Sequence, residues 1–83
     1  MFVIPSYIQL RNIKESTALF NVFSGDTHFI DNKFIIFIEF AKHHVFSIEQ
    51  FKQKMKNDNI SDDEVEQFLS SALNAGIIIE HQQ

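Results

Sequence analysis

The chain contains no cysteine. That excludes a disulfide framework, a cysteine-rich zinc site and a thiol nucleophile, and it fits a cytoplasmic setting. Glycine and proline are almost missing, at two and one in 83 residues, so collagen-like, low-complexity and disordered classes are excluded. Gly25 stands in no phosphate-cradling loop and no Gly-x-Ser-x-Gly nucleophile elbow, and Gly76 is the only other glycine. Long apolar runs are missing as well. The longest, Phe34 to Ile38, is broken by Glu39, far short of the roughly 20 residues a membrane-spanning helix takes. The start, Met1-Phe2-Val3-Ile4-Pro5, has no basic region and too short an apolar stretch for a signal peptide. Positive charge is scarce: seven Lys and Arg against eleven Asp and Glu, a net charge of −4. No basic stripe is visible, which weighs against a nucleic-acid partner.

What the chain does have is large apolar side chains. Eighty-three residues make one domain, and a chain of that size buries only roughly 60–65% of the surface it exposes when unfolded. Ten Phe and a 45% hydrophobic content compensate with more apolar surface per buried residue.

The hydrophobic period divides the chain in two. Up to Ile30 it is close to two. Tyr7 to Ile13 places Ile8 and Leu10 on one face and Gln9 and Arg11 on the other, the pattern of a strand at a sheet edge. Thr17 to Phe23 is β-branched and aromatic with no uniformly polar face, which predicts a central strand. Ser24-Gly25-Asp26 is a hairpin corner: glycine takes the positive φ that a tight loop demands, and Ser and Asp bond nearby backbone groups. Thr27 to Ile30 returns as a short third strand.

After Ile30 the period becomes 3.6, and three helix starts follow. Asp31, Ser47 and Ser61 are the predicted caps. Gln50 and Glu64 stand three residues after the two serines, as capping boxes require, and Ile30/Ile35, Phe46/Phe51 and Ile60/Val65 are spaced as hydrophobic staples. The predicted helices run from about Asp31 to His43, Ser47 to Lys56 and Ser61 to Ala75, with Gly76 as the terminating residue of the last. The first is apolar nearly all round and is expected to be the buried central helix. The second and third form a helix-turn-helix. The expectation is an α+β, winged-helix-like domain: a three-stranded antiparallel β-meander followed by three α-helices, in the order β-β-β-α-α-α. Residues 1–6 read as an N-terminal tail, 7–30 as the meander, 31–76 as the helices and 77–83 as a C-terminal tail. Ile77-Ile78-Ile79 in that tail either pairs with the sheet or covers the core.

No catalytic constellation stands out. His43 and His44 are adjacent and point about 100° apart on a helix, so they do not chelate a metal together; they read as helix C-terminal residues complementing the dipole. Asp62, Asp63, Glu64 and Glu66 read as an acidic helix start. His28 beside the turn reads as a strand residue bonding a loop carbonyl or Asp26. No cofactor, metal site or lone enzymatic activity is expected.

The string Ser24-Gly25-Asp26-Thr27-His28-Phe29-Ile30 closes an apolar strand. An apolar helix comes next, then a Ser47-Ile48-Glu49-Gln50 start and a last helix closing on Leu73-Asn74-Ala75-Gly76-Ile77-Ile78. This order, over about residues 7 to 79, resembles the PqqD-like peptide chaperones, whose domain is also called the RiPP recognition element. The Gly-Asp-Thr-His corner is most similar to the branch of the HPr-rel-A system. The family often has Leu where this chain has Ile77. The resemblance implies a non-catalytic module that binds the leader of a ribosomally made precursor peptide by strand addition and presents it to a modifying enzyme, here one related to HPr kinase. It implies peptide contacts from the third strand, Thr27, His28, Phe29 and Ile30, and from the third helix, Glu64, Gln67, Phe68, Ser71 and Asn74. The alternatives are a winged-helix nucleic-acid binder and a purely protein–protein regulatory domain, the latter a weak dimer through a strand edge.

Overall fold

A computed structural model describes residues 1–81; Gln82 and Gln83, the end of the expected tail, lie outside the described residues. The architecture is α+β in the expected order. Strands β2 (Ile8–Ile13), β3 (Ser16–Asn21) and β4 (Thr27–Ile30) form an antiparallel meander with β3 in the centre. A 3₁₀ turn (Asn32–Phe34) leads into α1 (Ile35–Ala41), followed by α2 (Ile48–Lys56) and α3 (Asp62–Asn74). Over the described residues the two expected tails are not free. β1 (Phe2–Val3) pairs antiparallel with β5 (Ile79–Glu80), and Phe2 also exchanges both backbone hydrogen bonds with Phe46, at 2.7 and 2.9 Å. Ile77 and Ile78 are buried, so the isoleucine run covers the core while its end pairs with β1 rather than with the meander.

The core is a cluster of phenylalanines. Phe37 from α1 and Phe51 from α2 stack face to face, ring centroids 3.9 Å apart and 2° from parallel. Phe46 meets both edge-on, at 5.0 and 6.1 Å. Phe34 lies edge-on to Phe51 and stacks on Phe68 of α3 at 4.3 Å. Pairs of this kind contribute about 0.5–1.5 kcal/mol each beyond simple area burial. The inner face of the meander, Ile8 and Leu19, closes over the same core.

Local chemistry places the boundaries. Ser47 forms a complete capping box: its hydroxyl accepts the Gln50 N–H at 3.1 Å, and the Gln50 side chain accepts the Ser47 N–H at 2.8 Å. At Ser61 only half forms. The hydroxyl accepts the Glu64 N–H at 3.2 Å, but the Glu64 carboxylate turns away to Lys33. Gly76, at φ +74°, ends α3 in a Schellman motif: its N–H reaches Leu73 O and the Ile77 N–H reaches Ala72 O.

The helix expected over residues 31–43 is shorter. Asp31 caps the 3₁₀ turn by accepting the Lys33 N–H, regular α-helix spans Ile35–Ala41, and Lys42 is its C-cap. Nor is α1 buried on every side, since Ile36 is 63% exposed. Its buried residues, Phe37, Ile38 and Ala41, share one side, and Ile36 and Glu39 face away from it. His44 does serve the helix end, its Nδ1 lying 2.9 Å from Phe40 O while its ring stacks on Phe40. The second strand stops at Asn21, not Phe23. Asn21 Oδ1 accepts the N–H groups of Phe23 and Ser24, and this Asx-type turn pulls Val22 and Phe23 into the corner.

Replacing Phe37 with Ala should destabilise the domain by about 3–5 kcal/mol, enough to leave much of a chain this small unfolded. Removing the complete cap with Ser47→Ala should cost about 1 kcal/mol. Urea denaturation followed by far-UV circular dichroism would measure both.

Candidate functional site

Strand β4 borders a groove. Its inner-facing side chains are His28 and Ile30, both half-buried; Thr27 and Phe29 point to the other face of the sheet and are exposed. The register with β3 is Thr17 to Ile30, Ala18 to Phe29, Leu19 to His28 and Phe20 to Thr27. Just beyond it, the Asn21 N–H donates to Asp26 O at 2.9 Å, marking that pair as hydrogen-bonded. Antiparallel pairs alternate between bonded and non-bonded. His28 and Ile30 therefore direct their backbone groups toward β3, whereas Thr27 and Phe29 direct N–H and C=O away from it. Among the described residues β4 has β3 as its only strand partner, so this outer edge has no partner strand.

The opposite edge of the meander is treated differently. The Val22 N–H bonds Tyr7 O at 3.2 Å, so by the same alternation Ile8 directs its backbone groups outward. Both are engaged: the Ile8 N–H donates to Pro5 O at 3.0 Å, and the Lys42 ammonium donates to Ile8 O. Partial burial there holds Lys42 below the usual lysine range. A lysine at the edge is a common device against unwanted strand pairing. Among the described residues β4 carries no such plug, and on β2 the plug covers Ile8 alone.

Helix α3 forms the facing wall. A cleft of about 220 Å³ runs between β4 and the helix, lined by His28, Phe29 and Ile30 on one side and by Phe68, Ser71, Ala72, Ala75 and Ile77 on the other. It continues into a second hollow of about 270 Å³ along Asp31, Lys33, Phe34, Glu64, Gln67, Phe68 and Ser71. The shared residues Asp31, Phe68 and Ser71 make the two one continuous groove. Its end is spanned by the Lys33–Glu64 ion pair, and the hydrogen bond that the Lys33 ammonium donates to the Glu64 carboxylate holds its pKa above the ordinary value. Both partners are exposed, so the pair adds little to stability.

Of the residues singled out from the sequence, His28, Phe29, Ile30, Glu64, Gln67, Phe68 and Ser71 line this groove. Thr27 and Asn74 do not line it. Thr27 contributes edge backbone only, and Asn74 lies on the exposed back of the last helical turn. The reason is helical drift: at about 100° per residue, the stripe through Glu64, Phe68 and Ser71 continues to Ala75, not to Asn74. The expected hydrogen bond from His28 to Asp26 or a loop carbonyl is not formed among the described residues; the Asp26 N–H instead bonds Ser24 Oγ at 3.2 Å. Sequence reading missed Asp31, Lys33, Phe34, Ala72, Ala75 and Ile77. Ala72 and Ala75 were available as small residues on the same helical stripe, but the positions of Asp31, Lys33 and Ile77 depend on how the chain folds back.

Among the described residues no group of acids, histidines or cysteines is assembled that would hold a metal ion, and no helix is long and apolar enough to cross a membrane. What the arrangement offers chemically is an unpaired strand edge beside an apolar floor, a template for an extended backbone. No family model, curated protein or solved structure matches the chain.

Proposed function

We propose that this domain is a non-catalytic peptide chaperone. It takes the leader segment of a ribosomally made precursor peptide as an added strand on β4 and presents it, in the cytoplasm, to a modifying enzyme related to HPr kinase. The observation that carries the reading is the unpaired backbone of Thr27 and Phe29, placed beside a groove whose far wall is α3. Main-chain hydrogen bonds of an added strand supply affinity without regard to sequence, and side chains directed into a flanking groove supply choice. The resemblance of the Gly25-Asp26-Thr27-His28 corner to PqqD-like proteins supports the same reading.

A nucleic-acid role draws on the α2–α3 helix-turn-helix, but α3 opens with Asp62, Asp63 and Glu64 in its first turn. Phosphates approaching the start of that helix would meet these carboxylates first. A mobility-shift assay at low salt should accordingly show no shifted complex.

The peptide reading makes a sharper prediction. In Phe29→Pro the outward N–H is lost, yet no bond to β3 is broken, and proline is tolerated on strand edges with that orientation. The variant should keep the circular dichroism spectrum of the parent and lose at least about tenfold in affinity for a leader peptide encoded beside the gene. On titration of the parent with that peptide, amide NMR shifts should concentrate in β4 and α3. Shifts that spare both elements would end the proposal.

A further inference from the structure

The two ends of the groove differ in chemistry. Alongside β4 the floor is Ile30, Phe68, Ala72, Ala75 and Ile77, apolar with two alanines that leave room for an incoming side chain. Beyond Ile30 the walls are Asp31, Lys33, Glu64 and Gln67. Two carboxylates there stand against one ammonium. Lys33 is already committed to Glu64. Asp31 uses one oxygen, Oδ1, to accept the Lys33 N–H at 3.2 Å, and its other oxygen has no hydrogen-bond partner among the described residues. Asp62 and Asp63 extend the negative potential along the neighbouring first turn of α3.

An extended peptide added to β4 would send alternate side chains toward α3, on the side of His28 and Ile30, about 7 Å apart. Two such neighbours would enter different ends of the groove, one apolar and one with an excess of negative charge. Resting on the peptide-binding reading above, we infer that the groove selects a segment in which a lysine or arginine stands two residues from a large apolar side chain. It discriminates against an acidic residue at the cationic position. The apolar end takes the large side chain because Ala72 and Ala75 present no bulk there. The charged end takes the cation because Asp31 has an unused acceptor and Lys33 does not fully neutralise its neighbours. A glutamate in the same place would bring a third carboxylate beside Asp31 and Glu64.

The test uses the full chain and fluorescein-labelled nonapeptides built on alternating Thr and Ser, read by anisotropy. One carries Leu-Thr-Arg at its centre and another Arg-Thr-Leu, because a strand can add in either direction. Each has a counterpart with Glu in place of Arg. The better arginine peptide should bind about tenfold more tightly than its glutamate counterpart, the size expected when two partly exposed charge contacts change from attraction to repulsion. In the double variant Asp31→Asn, Glu64→Gln that gap should fall to about twofold or less. Both substitutions keep the local fold, since asparagine still caps the 3₁₀ turn and glutamine suits the first turn of a helix. Equal binding of the arginine and glutamate peptides overturns the charge selectivity alone, as does a gap that survives the double variant; both leave strand addition standing. A folded chain that binds none of the peptides up to about 1 mM overturns the peptide-binding reading with it.

Discussion

The face-to-face stack of Phe37 on Phe51 is the contact on which the rest of the domain depends. It joins α1 to α2, and every other ring of the core is oriented against it. Phe46 closes one side and draws the strand-like segment before α2 against β1. Phe34 and Phe68 extend the cluster toward α3, and both then line the groove. The packing that stabilises a small domain thus also sets the position of the groove wall. A disturbance in the aromatic core would be felt at the candidate site, because α3 is held through Phe68 and the apolar stripe of Val65, Leu69 and Ala72.

The meander contributes the other half of the site through strict alternation. Once the corner at Ser24-Gly25-Asp26 is made, the register assigns every backbone group of β4 inward or outward. The same rule exposes an edge on β2, where Lys42 and Pro5 occupy the outward groups of Ile8. Among the described residues the β2 edge is plugged at Ile8 alone and the β4 edge carries no plug, and the β4 edge is the one beside α3. That asymmetry is a property of the tertiary arrangement: Lys42, the C-cap of α1, donates to Ile8 O from 34 residues away.

Much of the fold was legible because its signals are local. Ser47 with Gln50, Ser61 before an acidic turn, and Gly76 after Asn74 each act within a few residues, and the structure has a helix end at each. Legibility failed where a distant partner outcompeted a local one. Glu64 gives up its capping box for Lys33, which is 31 residues away. Phe2 and Val3 read as a loose tail, because nothing within the first six residues announces the Ile79–Glu80 partner at the other end of the chain. At the site, His28 to Ile30 and Glu64, Gln67, Phe68 and Ser71 are among the contacts the resemblance implies, whereas the sequence marks Asp31 only as a cap and Ile77 only as part of a tail.

The amino-acid sequence by itself determined the order of elements, their approximate boundaries, the hairpin corner and the class of the fold, since periodicity, capping and glycine conformation are written in neighbouring residues. The tertiary structure decided which strand edge lies beside α3, where the apolar and acidic ends of the groove fall, and that Phe2–Val3 pairs with Ile79–Glu80. Those features are juxtapositions of segments far apart in the chain. They arise when burial of the phenylalanine core brings α3 alongside β4, an outcome that no local pattern encodes.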